Sequence, residues 1–172
     1  MIQFAYIRTL MKENQKIIKY PGGNPKTETY QDGDTFVTKH YHNGKNAYVR
    51  ELIYLKDGIS KIKHTNIHGV VTKLEHFSGE KRQGKETKYF ISKADGSIKS
   101  TKIYDDGKLH GENLTYNEKG EVIKHEVFAL GKPVLKYLRE NTENNDITSV
   151  EILDKDNVIN LPKAESEKLQ TI

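Results

Sequence analysis

An aromatic residue followed a few positions later by glycine recurs along most of this chain, and that punctuation limits what it can fold into. It occurs in Tyr30-Gln-Asp-Gly33, Tyr41-His-Asn-Gly44, Tyr54-Leu-Lys-Asp-Gly58, Phe77-Ser-Gly79, Phe90 to Gly96, Tyr104-Asp-Asp-Gly107, Tyr116-Asn-Glu-Lys-Gly120 and Phe128-Ala-Leu-Gly131. Asn-Gly and Asp-Gly supply the positive φ angles that tight hairpin turns demand. The segments between them have strand length and strand composition, as in Asp34–Tyr41, Gly69–Phe77 and Glu121–Phe128. Gly96 to Gly120 and Gly107 to Gly131 are each 24 residues apart, so one repeat is two strands and two turns.

Alternation along these strands is imperfect. Val122, Lys124, Glu126 and Phe128 share one face, and Ile123, His125, Val127 and Ala129 the other. Neither face is cleanly apolar, which fits a sheet wetted on at least one side and excludes a closed sandwich. With 34% hydrophobic and 30% charged residues, a thick central core is not expected. The fold class read from these features is all-β: an elongated, single-layer antiparallel meander of repeated hairpins.

The ends depart from the rhythm. Residues 1–29 read as an N-terminal capping segment, with Ile2–Ile7 and Lys16–Tyr20 as an irregular hairpin or short helix and Pro21–Pro25 as a turn. Residues 30–133 carry the hairpin repeats. Residues 134–172 read as a C-terminal cap: a strand pair, Val134–Arg139 and Ile147–Leu153, around a polar loop, then a short helix over Leu161–Leu169.

The stretch Gly107-Lys-Leu-His-Gly111 to Tyr116-Asn-Glu-Lys-Gly120 and on to Phe128-Ala-Leu-Gly131 resembles the repeat of bacterial MORN-type proteins, among them the YwqK-type antitoxins. The similarity covers residues 69–133 and, in rhythm only, 30–58. Two units depart from it: Gly79 to Gly84 holds one residue more than Gly107 to Gly111, and Phe90 to Gly96 is an extended turn. The resemblance implies an elongated hairpin sheet and a recognition role, as an antitoxin or immunity-type protein that blocks a bacterial toxin sterically.

There is no cysteine, which removes disulfides, thiolate nucleophiles and Cys-based metal sites. His40 and His42, at i and i+2, would share a strand face as two metal ligands do, but no third ligand lies near them. The acidic pairs Asp105-Asp106 and Asp154/Asp156, and the Asp32/Asp34 pair around Gly33, read as turn residues, not as calcium or acid–base groups. No nucleophile elbow, phosphate loop or dinucleotide fingerprint occurs. The expectation is a non-catalytic protein without cofactor or metal.

Charge is uneven: residues 1–60 carry nine basic and six acidic side chains, 61–140 sixteen and eleven, 141–172 three and seven. Lys81, Arg82, Lys85 and Lys88 gather near Tyr89 and Phe90, and with Tyr104 and Tyr116 these are the candidate binding residues. Two partners follow from this reading. The first is another protein, such as a toxin, with the acidic Glu143, Asp146, Glu151, Asp154 and Asp156 facing a basic surface on it. The alternative is anionic lipid or nucleic acid held by the Lys/Arg cluster. No run approaches the roughly 18 apolar residues of a membrane span, and the expected location is the cytoplasm, a removed leader remaining compatible with the sequence.

Overall fold

The computed structural model describes residues 13–43, 48–54, 59–93, 95–138, 147 and 149–163, and these form one open antiparallel sheet. The strands are β1 (Glu13–Lys19), β2 (Pro25–Asp32), β3 (Thr35–Tyr41), β4 (Tyr48–Tyr54), β5 (Ile59–Thr65), β6 (Val71–Ser78), β7 (Lys81–Arg82), β8 (Gly84–Tyr89), β9 (Ile98–Asp105), β10 (Lys108–Tyr116), β11 (Val122–Ala129), β12 (Lys132–Leu138) and β13 (Ser149–Ile152). Each pairs with the next in sequence, except that β7 is a short side branch on β6, which continues to β8. The expected all-β meander is the observed architecture.

Two kinds of turn alternate between the sheet's ends. At one end Asp106 and Gly107, and likewise Leu130 and Gly131, both take positive φ, the two-residue turn whose twist matches the flanking strands. At the other end Asn66 and Asn117 each open a wider loop. Their side-chain oxygens accept amides at 2.9–3.0 Å, and their backbone amides donate across the loop to Val70 and Glu121. The Asn66 turn has no aromatic residue before it, so the aromatic–glycine rhythm passes over it. The extra residue between Gly79 and Gly84 is absorbed where β7 breaks into β8 at Gln83, with Gly84 at φ 79°.

Register assigns the side chains to two faces, because directly paired residues project to the same side. Glu28, Val37, Glu51, Thr87, His125 and Leu135 lie on what we call the front face; Phe36, Tyr54, Glu75, Glu86 and Tyr104 lie on the back. The apolar core is small and sits at the C-terminal end, where Val127, Ala129, Val134, Leu135, Tyr137 and Leu161 bury one another. A 3₁₀ helix, η1 (Lys155–Asn160), lies over it, capped by Asp154. This 3₁₀ helix precedes the expected Leu161–Leu169 helix, most of which falls outside the described residues. So do Ile2–Ile7 of the expected first hairpin; Lys16–Tyr20, apart from Tyr20, belongs to β1, which pairs with β2. The expected strand pair around 140–146 is β12 with β13.

Candidate functional site

With one layer of sheet and little core, the charged side chains cover one another. Four glutamates, Glu28 on β2, Glu51 on β4, Glu75 on β6 and Glu86 on β8, are almost fully buried. Such a group is stable only when cations or donors surround it. On the front face Glu28 accepts from Tyr41 Oη at 2.6 Å and Gln15 Nε2 at 2.8 Å, and Glu51 lies 3.3 Å from Lys39 and 2.5 Å from Lys63. Burial and the bond to Glu28 push the Tyr41 hydroxyl up from its ordinary value. Burial alone would lower the Lys39 ammonium, but the charge of Glu51, the Tyr30 phenol group and the bonds to both outweigh burial and raise it.

From β6 onward the buried carboxylates change sides. On the back face Lys73 Nζ is 2.8 Å from Glu75 and 3.6 Å from Glu86, and Arg82 reaches the same pair at 3.1 and 3.7 Å. His64 Nε2 adds a contact to Glu75 at 2.9 Å, and Lys88 stands 3.9 Å from Glu86. Arg82 also lies over the Tyr104 ring, 5.2 Å from its centre, and donates to its hydroxyl at 3.2 Å. Burial would raise the Glu75 carboxyl; the bonds from Lys73 and His64 and the charges of Lys73 and Arg82 hold it below the ordinary range.

The eight candidate residues therefore do not share one surface. Arg82 and Lys88 are on the back face with Glu86, while Lys81 is bound to Asp106 at 2.5 Å in the neighbouring turn. Lys85 projects from the front face, opposite Ile103. Tyr89 shares that face and lines a groove of about 540 Å³ with Lys63, His68, Val71 and Leu74. Phe90 sits just past β8 with Lys99 Nζ 6.0 Å from its ring centre. Tyr104 is 9% exposed beneath Arg82, and Tyr116 lines a separate depression with Lys93, Ile98 and Glu118. A cluster contiguous in sequence is split because successive strand residues face opposite ways.

Of the acidic residues, Glu151 pairs with Lys136 at 3.5 Å and Asp154 caps η1; Glu143 and Asp146 lie outside the described residues. His40 is on β3, but His42 lies past its end and bonds the Asn43 carbonyl, so the two do not form a strand pair of ligands. His125 is buried and stacked on Tyr137 at 4.3 Å. Among the described residues no group of three His, Asp or Glu is placed to hold a metal ion, and no helix is long and apolar enough to cross a membrane.

The sequence reading missed Phe36. It pairs directly with Tyr54 on the back face, and the two are 57% and 47% exposed. A depression of about 400 Å³ beside them is lined by Asn14, Thr29, Gln31 and Thr38. Phe36 follows a glycine instead of closely preceding one, so the aromatic–glycine rhythm does not mark it.

Comparison with protein-family models gives no match, and comparison with curated proteins gives none either. Among solved structures, a glycine-to-arginine point mutant of S. aureus TarM in complex with fondaparinux, α-GlcNAc-glycerol and UDP is similar at 15% identity and a TM-score of 0.40, over 70% of this chain and 21% of that one. A second TarM structure has 15% identity and a TM-score of 0.39, over 71% and 21%. The chain spans about a fifth of the length of these structures. A likeness of that size carries no argument about activity.

Proposed function

We propose that this chain is a non-catalytic protein-binding repeat module. The observation that supports the reading is the Phe36–Tyr54 pair, two large rings held solvent-exposed on adjacent strands of a hydrogen-bonded sheet. Aromatic side chains on a rigid backbone bury much area at little entropic cost and are typical anchors of protein interfaces. The finer reading follows the resemblance to YwqK-type proteins: a cytoplasmic antitoxin or immunity partner that covers a bacterial toxin's active site.

Binding of anionic lipid or nucleic acid through Lys81, Arg82, Lys85 and Lys88 has less support, because three of the four are matched to Asp106, Glu75 or Glu86. A phosphate would have to compete with carboxylates already in place.

The test is affinity capture from host lysate on the immobilised chain, washed at low and then at roughly 0.5 M salt, with the Phe36→Ala/Tyr54→Ala variant in parallel. The expected result is one abundant protein that survives the salt wash on the wild type and is lost from the variant. Its inhibition by the added chain would establish the antitoxin role. Recovery of only lipid or nucleic acid, released by salt from both proteins, would overturn the reading.

A further inference from the structure

Many of the strand lysines and arginines sit against a glutamate, on the neighbouring strand or two residues along their own. Lys39, Lys63, Lys73, Arg82, Lys88, Lys124 and Lys136 all lie within 4 Å of one. One row on the front face breaks the pattern. Lys61 on β5 pairs directly with His76 on β6. The β6–β8 register of Leu74 with Thr87, continued two residues along, brings His76 to Lys85. The His76 ring confirms the approach: its Nδ1 donates to the Lys85 carbonyl at 2.7 Å, which leaves Nε2 as the nitrogen that donates to a carboxylate when the ring carries both protons.

Three neighbouring strands thus set basic groups at one level of the sheet, over about 10 Å given a strand spacing of about 4.8 Å. None of the three forms an ion pair with an acid among the described residues. The buried Glu51 on the same face is already engaged by Lys39 and Lys63. The row is closed by apolar neighbours, Ile53 opposite Lys61 and Ile103 opposite Lys85. Lys61 and Lys85, like charges held on either side of His76 without a counter-ion among the described residues, repel one another, and an anion supplied from outside relieves that repulsion.

We propose that Lys61, His76 and Lys85 form a recognition site for the carboxylates of an acidic segment of the partner protein. The site deepens the protein-binding reading above and rests on it. Charge complementarity selects an anion, and the size of the row selects the class. An extended peptide crossing the strands presents same-side carboxylates about 7 Å apart, so two of them span the row, with the flanking isoleucines meeting apolar side chains. A nucleic-acid backbone needs a longer basic track, and this one stops at an isoleucine on each side.

The experiment uses the full chain and a fluorescein-labelled hexaglutamate peptide, read by anisotropy at low salt. The charge reversal Lys61→Glu/Lys85→Glu is expected to weaken binding about tenfold or more. The control Lys119→Glu/Lys132→Glu changes net charge by the same amount at exposed turn and strand-end positions, and is expected to change affinity by less than about threefold. Equal losses in both variants would assign the effect to overall charge and overturn the site, as would no loss in the first. Should the charge reversal fail to fold, Lys61→Gln/Lys85→Gln gives the same comparison with a loss of about threefold.

Two further probes, a 15-residue oligothymidylate and phosphatidylcholine vesicles containing phosphatidylserine, separate carboxylate from phosphate. Tighter binding of either, lost on reversing Lys61 and Lys85, would overturn the carboxylate assignment. Salt-resistant capture through Phe36 and Tyr54 is measured separately on the back face. Its failure would strike the protein-binding reading, whereas failure of the peptide assay strikes only the front-face row.

Discussion

Glu75 and Glu86 lie side by side on β6 and β8 and hold the same two cations, Lys73 and Arg82, at 2.8 to 3.7 Å. Two buried like charges next to each other are tolerable only while both cations stay in place. This shared clamp takes the place that a second layer of apolar side chains would occupy in a sandwich.

Arg82→Ala removes one of the two clamps and the cover of Tyr104. It is expected to destabilise the chain by about 1–3 kcal/mol, less than the full cost of an uncompensated buried charge because Arg82 itself is partly exposed and Lys73 remains. Arg82→Lys restores charge without the planar fork that reaches both glutamates, and should recover only part of the loss. Urea midpoints of the three proteins check the order.

Acid should weaken the clamp in a definite direction. The Glu75 carboxyl is held below its usual value of 4.5 in the folded chain, so as pH falls the unfolded chain takes up the proton first. The stabilisation is complete above that usual value and is lost as pH drops through the lower folded one. Urea unfolding from pH 7 to pH 3 should therefore show wild type losing stability more steeply than Glu75→Gln, the difference appearing only below about pH 5. Parallel curves would refute the role given to Glu75.

Leu130 occupies the left-handed region at φ 51° in a tight turn and is 54% exposed. A leucine there carries backbone strain without compensating burial. Leu130→Asn should raise stability by about 0.5–1 kcal/mol, since asparagine tolerates this geometry and bonds locally. A thermal melt reads this as a higher midpoint.

Gly111 has φ 119°, and a Cβ built on it would stand 3.3 Å from Ile103 Cβ on the adjoining strand. Gly111→Ala meets both strain and crowding, with an expected cost of about 1–3 kcal/mol. Gly22→Ala, with nothing within 4 Å, serves as the neutral comparison.

Leu161, beyond the last strand, is buried against Val127, Leu135 and Tyr137. Leu161→Ala should cost about 2–4 kcal/mol, whereas Ile123→Ala on β11, 57% exposed, should cost little. Equal effects would mean that the C-terminal segment does not cover the sheet end.

Hairpin order was legible in advance because each turn is decided within a few residues. Asp106-Gly107 and Asn117 to Gly120 carry their own backbone geometry wherever they stand in the chain. The split of Lys81, Arg82, Lys85 and Lys88 between two faces was half legible: alternation separates Arg82 from Lys85, but not what each meets. His42 was misplaced for a related reason, since the end of β3 one residue earlier depends on its pairing with β4.

The sequence by itself determined the strand and turn order, the open sheet and the thin core, through local φ preferences and a composition too polar to fill a second layer. Only the tertiary structure decided that Arg82 neutralises Glu75 and Glu86, that Phe36 stands beside Tyr54, and that Lys61, His76 and Lys85 meet without a counter-charge. Those relations join residues on different strands. They depend on register, and a bulge such as that at Gln83–Gly84 shifts register by a residue without leaving a composition signal.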